Sequence, residues 1–183
     1  MWSGPVATRG RNVETGREPM TLKQGDLRLL GTDVARRLLS ARIPARLAYV
    51  APDGTPRVLA TWFTWTGEVL AMPTFLEAPH VRHAAGRVRA LRANPDVAVT
   101  IDTETFPPEV LTIRGRVTVS EVDGIPAAYE SAARRYLGEE AAQAYLVQID
   151  QPGTRMASID LHPAWVGVLD FQSRLPSALG GIS

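Results

Sequence analysis

The 183-residue chain has no cysteine, which excludes disulfides, thiol catalysis, iron–sulfur clusters and cysteine-type zinc sites together. It has almost no lysine either: of twenty basic residues, only Lys23 is not an arginine. Nineteen acids reduce the formal net charge to +1, so bulk charge does not make this a polyanion binder and no nucleic-acid partner is expected. A local basic patch stays open. No apolar run approaches the roughly 18 residues of a membrane helix, and no membrane association is expected. Residues 1–19 carry Arg9, Arg11 and Arg17 with no apolar stretch behind them. They read as a flexible polar tail rather than a secretory signal, which leaves 20–183 as a single domain in the cytoplasm.

Signatures of familiar chemistry are missing too. There is no G-x-G-x-x-G, no G-x-x-x-x-G-K-[ST] and no G-x-S-x-G. His80 and His83 stand at i, i+3 with no third ligand marked, and read as solvated loop histidines. His162, before Pro163, reads as a strand-end residue. Asp102 and Glu104 flank a loop, and Glu139-Glu140 fall in a helix's first turn, where the helix dipole favours acids. Neither pair has the setting of a general acid and base, and no catalytic residue is singled out.

What is present is enough for an ordinary core, at 45% hydrophobic residues. Thr32 is a fair N-cap for a helix over Asp33 to Ala41, whose Val34, Leu38 and Leu39 make an apolar stripe. Pro52-Asp53-Gly54 is a turn between strands at 45–50 and 56–65, and Thr66-Gly67 leads to a third at 68–74. A short helix over 87–93 stops at Asn94-Pro95, and strands follow at 97–102 and 110–121. Asp123 is placed as the cap of a helix from Pro126 to Leu137, with Gly138 as its stop and a second helix over 139–148. Two last strands, 156–161 and 165–171, are separated by His162-Pro163. Six or seven hairpin-ordered strands with inserted helices argue for a small antiparallel barrel, because closure removes exposed edges.

Two features stand out. Between Glu77 and Asp96 there is no acid, yet there are four arginines: Arg82, Arg87, Arg89 and Arg92. Arg87 and Arg89 follow Gly86 at a helix start, where free N–H groups and arginine forks suit a phosphate, and Thr74 closes the preceding strand with a hydroxyl. A solvated basic helix face is the other reading. The second feature is Thr61-Trp62-Phe63-Thr64-Trp65. Alternation sends Phe63 and Trp65 to the core side and leaves Trp62, with Val58 and Ala60, facing a cofactor or a dimer interface.

The segments D-G-T-P-R-V-L-A-T-W-F (53–63), M-P-T-F (72–75), G-R-V-R-A-L-R-A-N-P (86–95), V-A-V-T-I-D (97–102) and V-L-T-I-R-G-R-V (110–117) occur in order and in register. Over residues 32–175 the chain resembles the pyridoxamine 5'-phosphate oxidase-like family, the FMN-binding split barrels, and among them the actinobacterial flavin- or deazaflavin-dependent members. The resemblance implies a mainly β fold with inserted helices, a six-stranded antiparallel split β-barrel, and a homodimer with its cofactor sites at the interface. It implies FMN, with the deazaflavin coenzyme F-420 as the alternative.

Carried over residue by residue, the resemblance makes Arg57 and Thr61 the polar contacts of the strand along the cofactor, with Trp62 near the substrate. Thr74 is the strand-end hydroxyl that meets the phosphate, and Arg87 the basic phosphate ligand, with Arg82 as the alternative alignment. Val110 to Arg114 is the strand supplied by the partner subunit, and Arg174 approaches the ring. Arg89, Arg92, Arg114 and Arg116 would serve the acidic tail of F-420. The C-terminal region lacks R-x-H-x-R, and Val110 stands where pyridoxamine-phosphate oxidases carry Gln, so synthesis of pyridoxal phosphate is not expected. The expected function is an oxidoreductase that moves a hydride to or from a small organic substrate. The competing expectation is a non-catalytic barrel binding flavin or haem, with His80 or His83 as an axial ligand.

Overall fold

A computed structural model describes residues 22–81 and 86–171. After a single 3-10 turn at Leu27–Gly31, helix α1 (Asp33–Ser40) starts where Thr32 accepts a hydrogen bond from the Ala35 amide at 3.4 Å. It buries Val34, Ala35, Leu38 and Leu39, the apolar stripe expected of it. Strands β1 (Ala45–Val50) and β2 (Pro56–Thr61) form the expected hairpin. Its turn is held by Asp53, whose carboxylate accepts from the Thr55 amide at 3.0 Å and the Thr55 hydroxyl at 2.5 Å. Gly54 takes a φ of 79° there.

The expected strand over 56–65 is two strands. It breaks at Trp62-Phe63, and β3 (Thr64–Trp65) lies at the opposite edge of the sheet from β2. The sheet order is β2-β1-β6-β7-β8-β4-β3, with β4 (Leu70–Ala71), β6 (Asp96–Asp102), β7 (Glu109–Asp123) and β8 (Arg155–Asp170). Two residues joining the two edges reach about 11 Å between flanking Cα atoms at most. The sheet must therefore curl until its edges face each other, although no ladder joins them. This unclosed antiparallel barrel is the split-barrel class expected.

The expected strand over 68–74 is likewise divided. Pro73 offers no N–H, and pairing to β8 resumes with β5 (Thr74–Glu77). Conversely, the two expected last strands are one. β8 runs through His162-Pro163 and absorbs Ala164 as a bulge against β7. His162 is thus mid-strand, 3.2 Å from the Thr118 hydroxyl, not a strand-end residue. Gly115 permits this approach: a Cβ there would sit 1.9 Å from the His162 carbonyl oxygen.

Helix α2 (Gly86–Ala93) precedes β6, while α3 (Ala127–Leu137) and α4 (Glu139–Ile149) are inserted between β7 and β8. Asp123 does not cap α3. The N-cap is Pro126, without a side-chain bond, and Asp123 ends β7 beside Arg155 at 3.4 Å. Glu139, in the first turn of α4, pairs with Arg134 at 3.3 Å. Asp102 pairs with Arg46 at 2.5 Å, a cross-strand tie between β6 and β1.

Phe63 is fully buried in the barrel core with Leu38, Leu47, Ile101, Leu111 and Leu161, and Trp65 packs against that core. Burial of a side chain of this size stabilises the fold by about 2–3 kcal/mol. Trp62 points the other way, into a second cluster with Tyr129, Tyr145, Phe75 and Met156. Its indole stacks on Tyr136 at 5.0 Å and 11°. Among the described residues, no helix is long and apolar enough to cross a membrane.

Candidate functional site

Helix α2 is held by buried Val88, Ala90 and Leu91, and its first turn contains no acid. That packing leaves Arg89 exposed and sets Arg87 half-buried beside the start of β5. The Arg87 guanidinium donates a hydrogen bond to the hydroxyl of Thr74, itself buried. The pairing of Thr74 with Ala157 on β8 fixes where that hydroxyl stands. Burial pushes the Arg87 guanidinium below its ordinary pKa, with Tyr49 acting in the opposite direction. No carboxylate among the described residues pairs with Arg87 or Arg89. Desolvation without a counter-charge is costly for a cation, and a bound anion removes that cost.

The two arginines open onto a cleft of about 500 Å³ that Tyr49, Asp53, Arg57 and Gly86 also line. The β1–β2 hairpin delivers three of these. Register places Tyr49 opposite Arg57, and the turn returns Asp53 to Arg57, 3.0 Å from its guanidinium. Three guanidinium groups thus face one carboxylate, a local balance of +2. The α2 N-terminus at Gly86 adds the first-turn backbone N–H groups and the positive end of the helix dipole. This donor set, cationic on balance even with Asp53 paired to Arg57, fits a phosphate.

Of the residues singled out in the sequence, Arg57, Thr74, Arg87 and Arg89 come together here. Tyr49 and Asp53 were missed, although hairpin register around Asp53-Gly54 places both beside Arg57. The others lie elsewhere in this chain. Thr61, at the end of β2, donates to the Trp62 carbonyl at 3.2 Å. Trp62 is packed under α3 and α4, while Val58 and Ala60 are exposed. Arg114 is on β7, its guanidinium 3.8 Å from the Trp165 ring centroid.

Two expected members of the basic surface are engaged by acids: Arg92 by Glu121 at 2.7 Å and Arg116 by Asp96 at 3.1 Å. His80 meets the Phe75 ring edge-on at 4.9 Å. Arg82, His83, Arg174 and residues 1–19 lie outside the described residues.

Comparison with known proteins agrees with the split-barrel fold. The chain belongs to the pyridoxamine 5'-phosphate oxidase family, whose model matches residues 32–169. A solved F-420 reductase is 30% identical, with 72% of this chain and 94% of that chain covered and a TM-score of 0.55. A conserved hypothetical protein from Mycobacterium tuberculosis is 17% identical, covers 76% of this chain and 84% of its own, and gives a TM-score of 0.56. General stress protein 26 from Bacillus anthracis is 14% identical, covers 79% and 95%, and gives 0.52. The last two show the fold alone. No curated protein matches the chain.

Proposed function

We propose that the chain is an oxidoreductase that binds a phosphate-bearing flavin, FMN or the deazaflavin F-420, in the Arg57–Arg87 cleft and acts on a small organic substrate. The observation that carries this reading is the half-buried Arg87, bonded to Thr74 and lacking any acidic partner among the described residues. Bound there, the cofactor would supply hydride donation or acceptance. The chain's own part is to bind and orient. Arg87 takes the phosphate through charge-assisted bonds, Thr74 positions Arg87, and Arg89 and Arg57 add positive charge from the rim. The α2 N-terminus meets the same phosphate with backbone N–H groups.

Support for F-420 comes from the 30% identical F-420 reductase. Against a long acidic tail stands the engagement of Arg92 and Arg116 by Glu121 and Asp96, which leaves Arg89 as the available α2 cation on that side among the described residues. The reading includes a homodimer in which the Val110–Arg114 strand of one subunit completes the other's site. Arg114 is exposed on β7 away from its own chain's cleft, and Val58 and Leu169 are 68% and 40% exposed, as a surface awaiting a partner would be.

Titration of the purified protein with FMN and with F-420 tests the proposal. One of them is expected to bind with micromolar affinity, to stop binding in Arg87→Met, and to undergo reduction or reoxidation when a substrate panel is added. Micromolar binding of neither cofactor removes the basis of the proposal. Sedimentation at micromolar concentration checks the dimer.

A further inference from the structure

A second cleft, of about 440 Å³, opens between α1, β3 and α3 and shares no lining residue with the Arg57–Arg87 cleft. Its lining includes the apolar Leu30, Leu39 and Trp65. It also includes Arg36 and Arg135, the hydroxyl residues Ser40, Thr64 and Ser131, and no acid.

Among the described residues, Arg135 is held in place by neutral groups alone. Its Nη1 donates to the Leu39 carbonyl at 2.6 Å, and its Nη2 to the Phe63 carbonyl and to the Tyr136 hydroxyl at 3.2 Å. The guanidinium lies over the Phe63 and Tyr136 rings at 4.2 and 4.8 Å. Its Nε is buried and has no acceptor among the described residues. Carbonyl dipoles and ring faces orient this cation but do not neutralise it. A mere clamp between α1 and β3 would need neither a second cation nor an open cavity, yet Arg36 faces the same space and is also without an ion pair among the described residues. One anchored and one exposed cation beside an indole and two leucines fit a small, partly apolar anion. A bare phosphate would leave the apolar lining unused.

We propose that this cleft binds a small carboxylate with an aromatic or branched aliphatic body. The body lies on Trp65, Leu30 and Leu39, and the carboxylate faces Arg36 and Arg135. The site is independent of the cofactor reading above.

The test titrates the full-length protein with 2-naphthoate and with its neutral counterpart 2-naphthamide, following the indole N–H resonance of Trp65, assigned through Trp65→Phe. Naphthoate is expected to saturate and move that resonance, and the amide to bind about tenfold more weakly, the worth of a charge-assisted bond. Arg36→Gln removes an exposed side chain, so folding is not at issue. It is expected to weaken naphthoate about tenfold and leave the amide unchanged. Arg87→Gln, on the other cleft, is expected to change neither. Equal binding of acid and amide, indifference to Arg36→Gln, loss of binding in Arg87→Gln, or no saturable shift of Trp65 would each overturn the proposal.

Discussion

The two ends of α2 carry the same residue type and differ in chemistry. At the N-terminal end, Arg87 is half-buried, bonded to a hydroxyl and free of any carboxylate among the described residues. At the C-terminal end, Arg92 meets Glu121 at 2.7 Å, and Glu121 is shared with Arg155 at 2.5 Å, which also reaches Glu77 at 2.8 Å. One end is a cation without a counter-charge; the other is a surface network already balanced. Both lie in the same acid-free stretch of sequence, so local charge counting treats them alike. The difference arises because β7 brings Glu121 to the C-terminal end and to Arg92, while no carboxylate among the described residues pairs with Arg87. On the proposed reading, a cluster of arginines becomes a binding site where the fold withholds the counter-ion.

The largest expected effect separates the two ends directly. Arg87→Met should weaken binding of the phosphate-bearing cofactor about 100-fold, the loss of one to two charge-assisted hydrogen bonds. Melting temperature should hold or rise, since a desolvated cation is removed. Arg92→Met should leave cofactor affinity within about twofold. Fluorescence titration of both variants checks this, and equal losses would break the distinction between the ends. Next comes the residue that positions Arg87. Thr74→Val keeps shape and removes the acceptor, so Arg87 loses its tether. Affinity should fall about tenfold at a stability cost of about 1 kcal/mol. Unchanged affinity would show that packing alone orients Arg87.

Much of this was legible in the sequence, and what was not has a common cause. The β1–β2 hairpin, the start of α1 and the meeting of Thr74 with Arg87 follow from local chemistry: an Asp-Gly turn, a threonine cap, and a strand end near a glycine-led helix. The break at Trp62-Phe63 was hidden because neither residue is a breaker; curling of the whole sheet imposes it. Asp123 looked like a cap because its partner, Arg155, comes from a strand 32 residues further on. The neutralisation of Arg92 likewise depends on a ladder between distant segments. Tyr49 and Asp53 were within reach, since hairpin register alone sets them beside Arg57.

Asp53 gives a smaller effect of opposite sign. It is the carboxylate in the cationic cleft, and hydrogen bonds from Thr55 are the main cause holding it below its ordinary pKa, with Arg57 adding to them. Asp53→Asn retains the acceptor that shapes the turn and removes the charge. Cofactor affinity should rise about two- to threefold at low salt, and the gain should vanish near 1 M salt, where screening reaches about 3 Å. A weaker binder at low salt would mean that Asp53 acts by orienting Arg57, and that charge at this end of α2 is not what governs binding.

The smallest expected effect belongs to the balanced end. A hydrogen bond from Arg92 is the main cause that holds Glu121 below its ordinary carboxyl pKa of 4.5, and the charge of Arg155 adds to it. Because the folded value lies below the unfolded one, this contribution is full above the unfolded value and is lost as pH falls through the folded one. The wild-type protein should therefore lose denaturant stability on acidification below about pH 4.5, and Glu121→Gln should make that slope shallower. The change should be slight, since exposed pairs of this kind contribute little. Arg87→Met should leave the acid slope untouched, because no carboxylate among the described residues depends on Arg87. Urea titrations between pH 3 and 6 read both variants. An acid slope altered by Arg87→Met would reveal a carboxylate paired with Arg87 and erase the contrast on which the proposed binding site rests.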